Sequence, residues 1–374
     1  MKQKQLTILF IIIIGSLSII NLISPSKSFS EKENRYLQQM PKPTWTSVKS
    51  GDFSSQFEKY TGDQFIFRDS WIGLKTLSEK VMLKKDNGRV YFGKENYLFD
   101  VKEDLDEIQY DKNINYLNQF VANLDSIDKK IEITALLIPT KASVLKDKLP
   151  TFAPMVDEDV LFNNLEKDLD NDIKLVNPQK SLSLNQDTYY KSDHHWTSFG
   201  AYLGYKDYLI CRQELPLALE KFNKEVVSED FLGTSYRKAN LFSYQGEKIE
   251  KYTLDNDNKL SVVYNDVRVS DSLYDASFLE KTDKYAYFMG GDHALVKISN
   301  TNVSQKKLLI VKDSFANSMI PFLSNHYKDI YVVDTRHFNG SILNLIEENN
   351  IKEVLMLYNI QTLVSEKTLV KLNK

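Results

Sequence analysis

Four short runs rich in aliphatic and β-branched residues, at 131–138, 307–312, 329–334 and 354–358, alternate with segments of helical spacing at 111–128, 315–327 and 341–349. Runs this short and this apolar fit buried strands, and their alternation with helices predicts an α/β sheet. The 111–128 segment places Ile114, Leu117, Phe120, Val121 and Leu124 on one face. Residues 51–86 also have helical spacing, and 88–99 read as a hairpin. Residues 215–285 break the rhythm with dense charge and short alternating stretches such as 260–264, which predicts a mostly β insertion. With 374 residues and no visible repeat, the chain suffices for one large core elaborated by that insertion.

The N-terminus sets the compartment. Lys2 and Lys4 precede an uncharged apolar run over residues 6–23, and about 18 such residues is the lower edge of a membrane-spanning helix. Basic residues before the run keep the N-terminus in the cytoplasm and place the rest of the chain outside. A retained anchor and a cleaved secretory signal both fit. The length favours the anchor, and Ser24-Pro25-Ser26 makes a poor cleavage site. The expected organisation is an anchor or signal at 1–27, a polar stalk with Pro41 and Pro43 at 28–50, and a catalytic domain at 51–374. The expected location is the cell membrane, single-pass, or the exterior if the leader is cut. A lone Cys211 excludes an internal disulfide and a cysteine-based zinc site. Forty-eight basic against 51 acidic residues give a net charge of −3, which argues against a nucleic-acid binder relying on a basic face.

Two of the five histidines are adjacent, in Asp193-His194-His195-Trp196. Thr197 or Ser198 can cap a helix that follows, leaving this tetrapeptide in the entering turn. There Asp193 can hold Nδ1–H of His195, leaving Nε2 free to take a proton. A pair that merely solvates a loop is the competing reading. Later, the strand 307–312 runs into Asp313 and Ser314 at the start of a helix-like segment. That is the position for a nucleophilic serine, with helix N-terminal amides, including that of Phe315, available to an oxyanion. An ordinary Ser/Asp cap at a strand–helix junction is the commoner reading of these residues alone. Gly290 and Gly291 precede Asp292 and His293 and are further oxyanion candidates, or a hairpin turn. Base, orienting acid, nucleophile and oxyanion donors together form an acyl-transfer set.

The stretch Ser192-Asp-His-His-Trp-Thr197, with Lys312-Asp-Ser-Phe315, resembles the DHHW protein family and the SGNH-hydrolase-like domains of alginate O-acetylation proteins. The likeness runs from about Glu33 to the C-terminus and includes residues 93–99 and 290–293. The resemblance implies a three-layer α/β sandwich of SGNH-hydrolase type in circularly permuted order, with the serine last. It implies an extracytoplasmic O-acetyltransferase acting on a cell-surface polysaccharide through an acetyl-serine intermediate. The implied roles are nucleophile for Ser314, base for His195 and orienting acid for Asp193. No cofactor or metal is implied, and a membrane-embedded O-acyltransferase is the expected acetyl supplier. Lys312 departs from the glycine usual before Asp-Ser in such enzymes, and the family asparagine has no secure position, Asn317 and Asn359 being candidates.

His194, Trp196 and Arg336 are candidate substrate contacts: Trp196 by stacking on a sugar or as core, Arg336 by binding an acidic sugar or pairing structurally. Three alternatives share these residues. One is a carbohydrate acetylesterase, in which water resolves the intermediate. Another is a metal site drawn from Asp193, His194, His195, Asp292 and His293, though no spacing such as H-E-x-x-H supports it. The third is a non-catalytic polysaccharide-binding module.

Overall fold

The computed structural model describes residues 2–30, 35–101, 105–254, 260–301 and 303–374. Glu33 and residues 255–259, which fall in the stalk and insertion named above, lie outside the described residues. The chain divides into two compact units, one of residues 1–87 with 236–244 and one of residues 88–235 with 245–374.

The first unit holds the helix Lys2–Ile23, whose Lys4–Ile23 stretch is apolar, long enough to cross a membrane and unburied. Two expectations change here. Residues 28–50 are not a bare stalk: Phe29–Ser30 pairs with Arg35–Tyr36, and Trp45–Ser50 is a helix opened by a Thr44 capping box. Asp63 organises this segment by accepting from the Arg35 guanidinium and from the Gln38 amide, and the bond from Arg35 helps hold its carboxyl below the usual range. Residues 51–87, expected in the catalytic domain, belong instead to this unit as the helices Asp52–Gln64 and Arg68–Val81, and Asn240 Nδ2 donates to the Asp69 carbonyl at 2.9 Å.

The second unit is built on an eight-stranded sheet. Its strands in chain order are β1 (Glu132–Ile138), β2 (Ile173–Val176), β3 (Leu260–Tyr264), β4 (Arg268–Ser270), β5 (Leu295–Asn300), β6 (Lys307–Lys312), β7 (Asp329–Val333) and β8 (Glu353–Asn359). The spatial order is β4-β3-β5-β7-β6-β8-β1-β2. The five strands from β7 to β2 are parallel, and β5, β3 and β4 extend the sheet antiparallel.

Period-two alternation splits the central strands between two cores. Leu308 and Ile310 face the core shared with the helix Ser198–Cys211, whereas Leu309 and Val311 face the core shared with the helices Glu107–Ile127 and Ile342–Glu348. The result is the expected three-layer α/β sandwich, with the central strands buried on both faces. The region 215–285 is rich in strands. However, β3 and β4 are the sheet's own antiparallel edge, because Val262 and Tyr264 pack into its core. Among the described residues of this region, only Asn223–Phe231 and Glu247–Thr253 form a separate antiparallel pair. The helix expected at 315–327 is instead a 3-10 turn, Ser314–Ser318, followed by one turn at Ile320–Leu323. Pro321 and the Asp313 side chain, which takes the Phe315 amide, break the regular ladder.

β6 is flanked by β7 on one side and β8 on the other, so the chain reverses direction across the sheet at the end of β6. Ligand sites of open α/β sheets lie at the carboxyl ends of strands at such a switch point. Ser314 follows that end by two residues.

Candidate active site

The serine arm is fixed by Asp313. This residue is fully buried, and its carboxylate accepts the Phe315 amide at 3.0 Å and the Asn359 amide at 2.8 Å, tying the end of β6 to the end of β8. Burial pushes its carboxyl up to about 6, against the pull of those two amides. Asn359 in turn donates Nδ2 to the Ile138 carbonyl at 3.0 Å, which adds the end of β1.

The histidine arm is the loop before the helix Ser198–Cys211. Thr197 caps that helix by accepting from the Gly200 amide, and its own N–H reaches the Thr188 carbonyl, which closes the loop at its base. The loop interior is held from two sides. The buried Lys141 ammonium donates to the carbonyls of Tyr190, Lys191 and Asp193 at 2.9, 3.2 and 2.6 Å. The Glu247 carboxylate accepts the amides of Lys191 and Ser192 at 2.6 and 2.7 Å and the Ser192 hydroxyl.

Asp193 Oδ1 lies 2.6 Å from Nδ1 of His195 and also accepts the His195 amide. Its Oδ2 accepts from the amide and hydroxyl of Thr234 at 2.6 and 3.0 Å. Burial works against this charge, but the two neighbouring histidines and these hydrogen bonds outweigh it and hold the carboxyl well below the usual range. With Nδ1 so engaged, Nε2 of His195 stands 2.8 Å from Oγ of Ser314. The imidazole is stacked on Tyr285, ring centroids 3.8 Å apart and planes within 6°, and Phe315 packs near it at 4.8 Å. Tyr285 bonds the Ser318 hydroxyl at 3.1 Å, so the same ring touches both arms.

Ser314, His195 and Asp193 are thus brought together, but the other expected residues divide. His194 sits beside them, its Nδ1 2.6 Å from the Thr234 hydroxyl and its side chain about a third exposed. Trp196 is completely buried and donates its indole N–H to the Phe315 carbonyl at 2.9 Å, so it is core and not a sugar platform. The Phe315 amide is spent on Asp313, which removes it as an oxyanion donor. Gly291 donates to the Phe288 carbonyl, and Gly290 has φ +67° with Arg268, Asp275 and His293 as its nearest side chains; this pair is a turn. Arg336 is held by Asp334 and, at 2.9 Å, by Asp292. Asp292 also accepts from the buried Lys312, which explains how a lysine fits before Asp313. Burial opposes the Asp292 charge, but Lys312 and Arg336 overcome it and keep its carboxyl far below normal. The candidate ligand atoms of Asp193, His194 and His195 lie within 4.8 Å of one another. His195 can ligate only by giving up Asp193 or Ser314, because each ring nitrogen already faces one of them.

Sequence reasoning missed five residues that build the site: Lys141, Gly233, Thr234, Glu247 and Tyr285. Gly233 is the most constrained. A Cβ there would fall 2.2 Å from both Cβ and Oδ2 of Asp193. A Gly-Thr pair after a strand is the one signal that could have found it.

The architecture defines an SGNH-hydrolase-like α/β fold. The family described as DHHW protein matches residues 176–333, a span from the end of β2 to the end of β7 that includes both arms. Among solved structures, Bacillus cereus PatB1 bearing a sulfonyl adduct is similar, at TM-score 0.66 and 24% identity, covering 78% of this chain and 100% of that one. A DHHW family protein from Eubacterium siraeum DSM 15702 is similar at TM-score 0.62 and 24% identity, covering 76% of this chain and 98% of that one. No protein among those with curated descriptions matches.

Proposed function

We propose that this chain is a serine-dependent O-acetyltransferase that works outside the cytoplasm on hydroxyls of a cell-surface polysaccharide, held at the membrane by its N-terminal helix. The observation that carries the reading is the continuous line from the Asp193 carboxylate through both nitrogens of His195 to Oγ of Ser314, at 2.6 and 2.8 Å. The fold shared with PatB1, whose structure bears a sulfonyl adduct, supports the same reading.

Nε2 of His195 takes the Ser314 proton as Oγ attacks the acetyl carbonyl carbon, and Asp193 balances the imidazolium. The tetrahedral adduct collapses to acetyl-Ser314 as the donor's leaving oxygen receives that proton from His195. A sugar hydroxyl then gives its proton to His195 as it attacks the acetyl carbon, and the adduct collapses with that proton passing from His195 to Oγ, which restores free Ser314 and leaves the acetylated sugar. The Ser314 amide, first in its 3-10 turn, occupies the position where N–H groups have no intrahelical partner and suits the oxyanion. A membrane-embedded O-acyltransferase would supply the acetyl group.

The test treats one sample of the full chain in detergent with a sulfonyl fluoride, and a separate, unsulfonylated sample with p-nitrophenyl acetate and oligosaccharide acceptors. A single adduct on Ser314 and acetylated acceptor, both absent from Ser314→Ala, establish the transferase. Free acetate with every acceptor tried moves the reading to an esterase. Unchanged turnover by Ser314→Ala refutes the nucleophile.

A further inference from the structure

The helix Arg68–Val81 is built inside out. Its buried positions are Gly73, Thr76 and Glu79, spaced i, i+3, i+6 on one side. The opposite side carries Phe67, Trp71, Leu74, Leu77 and Val81, which are 69, 46, 50, 48 and 74% exposed. At about 3.6 residues per turn these two sets fall on opposite faces. A helix on a water-soluble surface shows the reverse arrangement, with its apolar stripe toward the core. Gly73 allows close packing on the inner side, where Phe242 and the Asn240 carbonyl lie against it.

What the outer face meets is indicated by where this helix begins. The amide of Ile66 donates to Oδ1 of Asn21 at 3.1 Å, and Ile20, Ser24 and Pro25 line one groove with Phe65, Phe67 and Ser70. Asn21 is two residues from the end of the apolar helix Lys2–Ile23. A helix of about 20 apolar residues spans the hydrocarbon, so its last turn reaches the interface. The aromatic start of Arg68–Val81 is therefore placed at the depth where Trp and other amphipathic side chains concentrate.

We propose that the outer face of Arg68–Val81 lies in the interfacial layer of the same bilayer that holds the N-terminal helix, making a second, monotopic membrane contact. The proposal rests on the reading of the N-terminal helix as a retained anchor. Its occupant is lipid: an amphipathic helix set parallel to the surface inserts such a face at the boundary of headgroups and acyl chains. Lys75 and Lys84, which flank the stripe and share Glu79, supply the polar border. The contact gives the first unit two points of attachment to the membrane, from which an acetyl donor embedded in that membrane would be approached.

The test uses the full chain reconstituted in vesicles of phosphatidylcholine and phosphatidylglycerol, with and without dibrominated acyl chains. A Trp45→Phe background removes an exposed tryptophan and leaves Trp71 and the buried Trp196. Emission from Trp71 is the difference between this protein and its Trp71→Phe derivative. The expected result is at least a twofold loss of Trp71 emission in brominated lipid, weak quenching by aqueous acrylamide, and reversal of both in Leu74→Asp/Leu77→Asp. The intact mass of the membrane fraction from the producing cell separates the two readings. A retained leader with Trp71 indifferent to bromine and open to acrylamide overturns the interfacial contact alone, leaving a protein partner or solvent for this face. An N-terminus cut after Ile23 overturns the anchor and the contact together.

Discussion

The indole N–H of Trp196 donates to the carbonyl of Phe315 at 2.9 Å. Each of these residues directly follows a member of the proposed reacting pair, His195 and Ser314. One buried hydrogen bond therefore sets the spacing of two loops separated by over a hundred residues of chain. Trp196→Phe keeps much of the ring but leaves the carbonyl without this donor, and the expected cost is about 1–3 kcal/mol. Turnover should fall roughly tenfold as the His195–Ser314 distance loosens. Thermal melting and initial rates on p-nitrophenyl acetate check both numbers, and a variant as active as the wild type would show that the loops are spaced by other contacts.

Gly233 meets Asp193 where no other residue fits. In Gly233→Ala the new Cβ would sit 2.2 Å from the carboxylate it must avoid, so Asp193 or the 233–234 backbone has to move. The Thr234 bonds to Oδ2 go with that movement. A loss of about 2 kcal/mol in stability and at least 100-fold in turnover is expected, in line with the cost of overpacking and of misplaced catalytic groups. Gly233→Ser should be no milder. An alanine variant with full activity would mean that the Gly233 approach is incidental.

Asp193→Asn preserves shape and tests the carboxylate itself. The amide oxygen can still accept Nδ1–H, but the charge that balances the imidazolium is gone, and an amide nitrogen turned toward His195 would select the wrong tautomer. Turnover is expected to drop about 1,000-fold or more, with sulfonylation of Ser314 slowed in proportion and the melting temperature changed little. Sulfonylation at the wild-type rate would separate Ser314 reactivity from Asp193.

The parts of this site that can be read from sequence are those whose side chains do the chemistry at short range. Asp193 and His195 are two residues apart, and Ser314 follows a strand whose centre, Leu308 to Val311, is wholly apolar, so a single turn on each arm suffices to place them. The parts that cannot be read act on backbone. Lys141 and Glu247 hold the histidine loop through carbonyls and amides, which leave no residue-type pattern in the loop they hold. The oxyanion expectation for Phe315 failed for a related reason: the same Asp-Ser junction that exposes Oγ uses Asp313 to absorb the next amide. In the fold, strands buried on both faces announced themselves by continuous apolar runs. The short β2 and the alternating β5 carry too few apolar residues in a row to stand out.

Lys141 should matter more for rate than its distance from Ser314 suggests. Its ammonium satisfies three loop carbonyls, including that of Asp193. Lys141→Met retains much of the stem and takes this donor from all three carbonyls, of which that of Lys191 keeps the Leu98 amide, at an expected cost of about 3 kcal/mol. As a positioning residue, Lys141 is expected to lower kcat about 10- to 100-fold with KM for the acyl donor unchanged. A matching rise in KM with kcat intact would instead place Lys141 at the substrate.

Asp313 gives the protein a pH signature opposite to that of an ordinary paired carboxylate. Its carboxyl stands at about 6 in the folded chain against 3.8 in a solvated one. Between those values the folded state keeps a proton that the unfolded state has released, so stability falls as pH rises through this window and levels off above about pH 6. Two units of displacement correspond to about 3 kcal/mol at most. Asp193, displaced the other way, loses its contribution only well below pH 4, outside the window. Asp313→Asn cannot titrate. The melting temperature of the wild type minus that of Asp313→Asn should therefore decrease by several degrees between pH 4 and pH 7, measured in detergent at fixed ionic strength. A difference that stays flat, or rises with pH, would mean that Asp313 is ionised in the folded protein throughout and that the amides of Phe315 and Asn359 outweigh its burial.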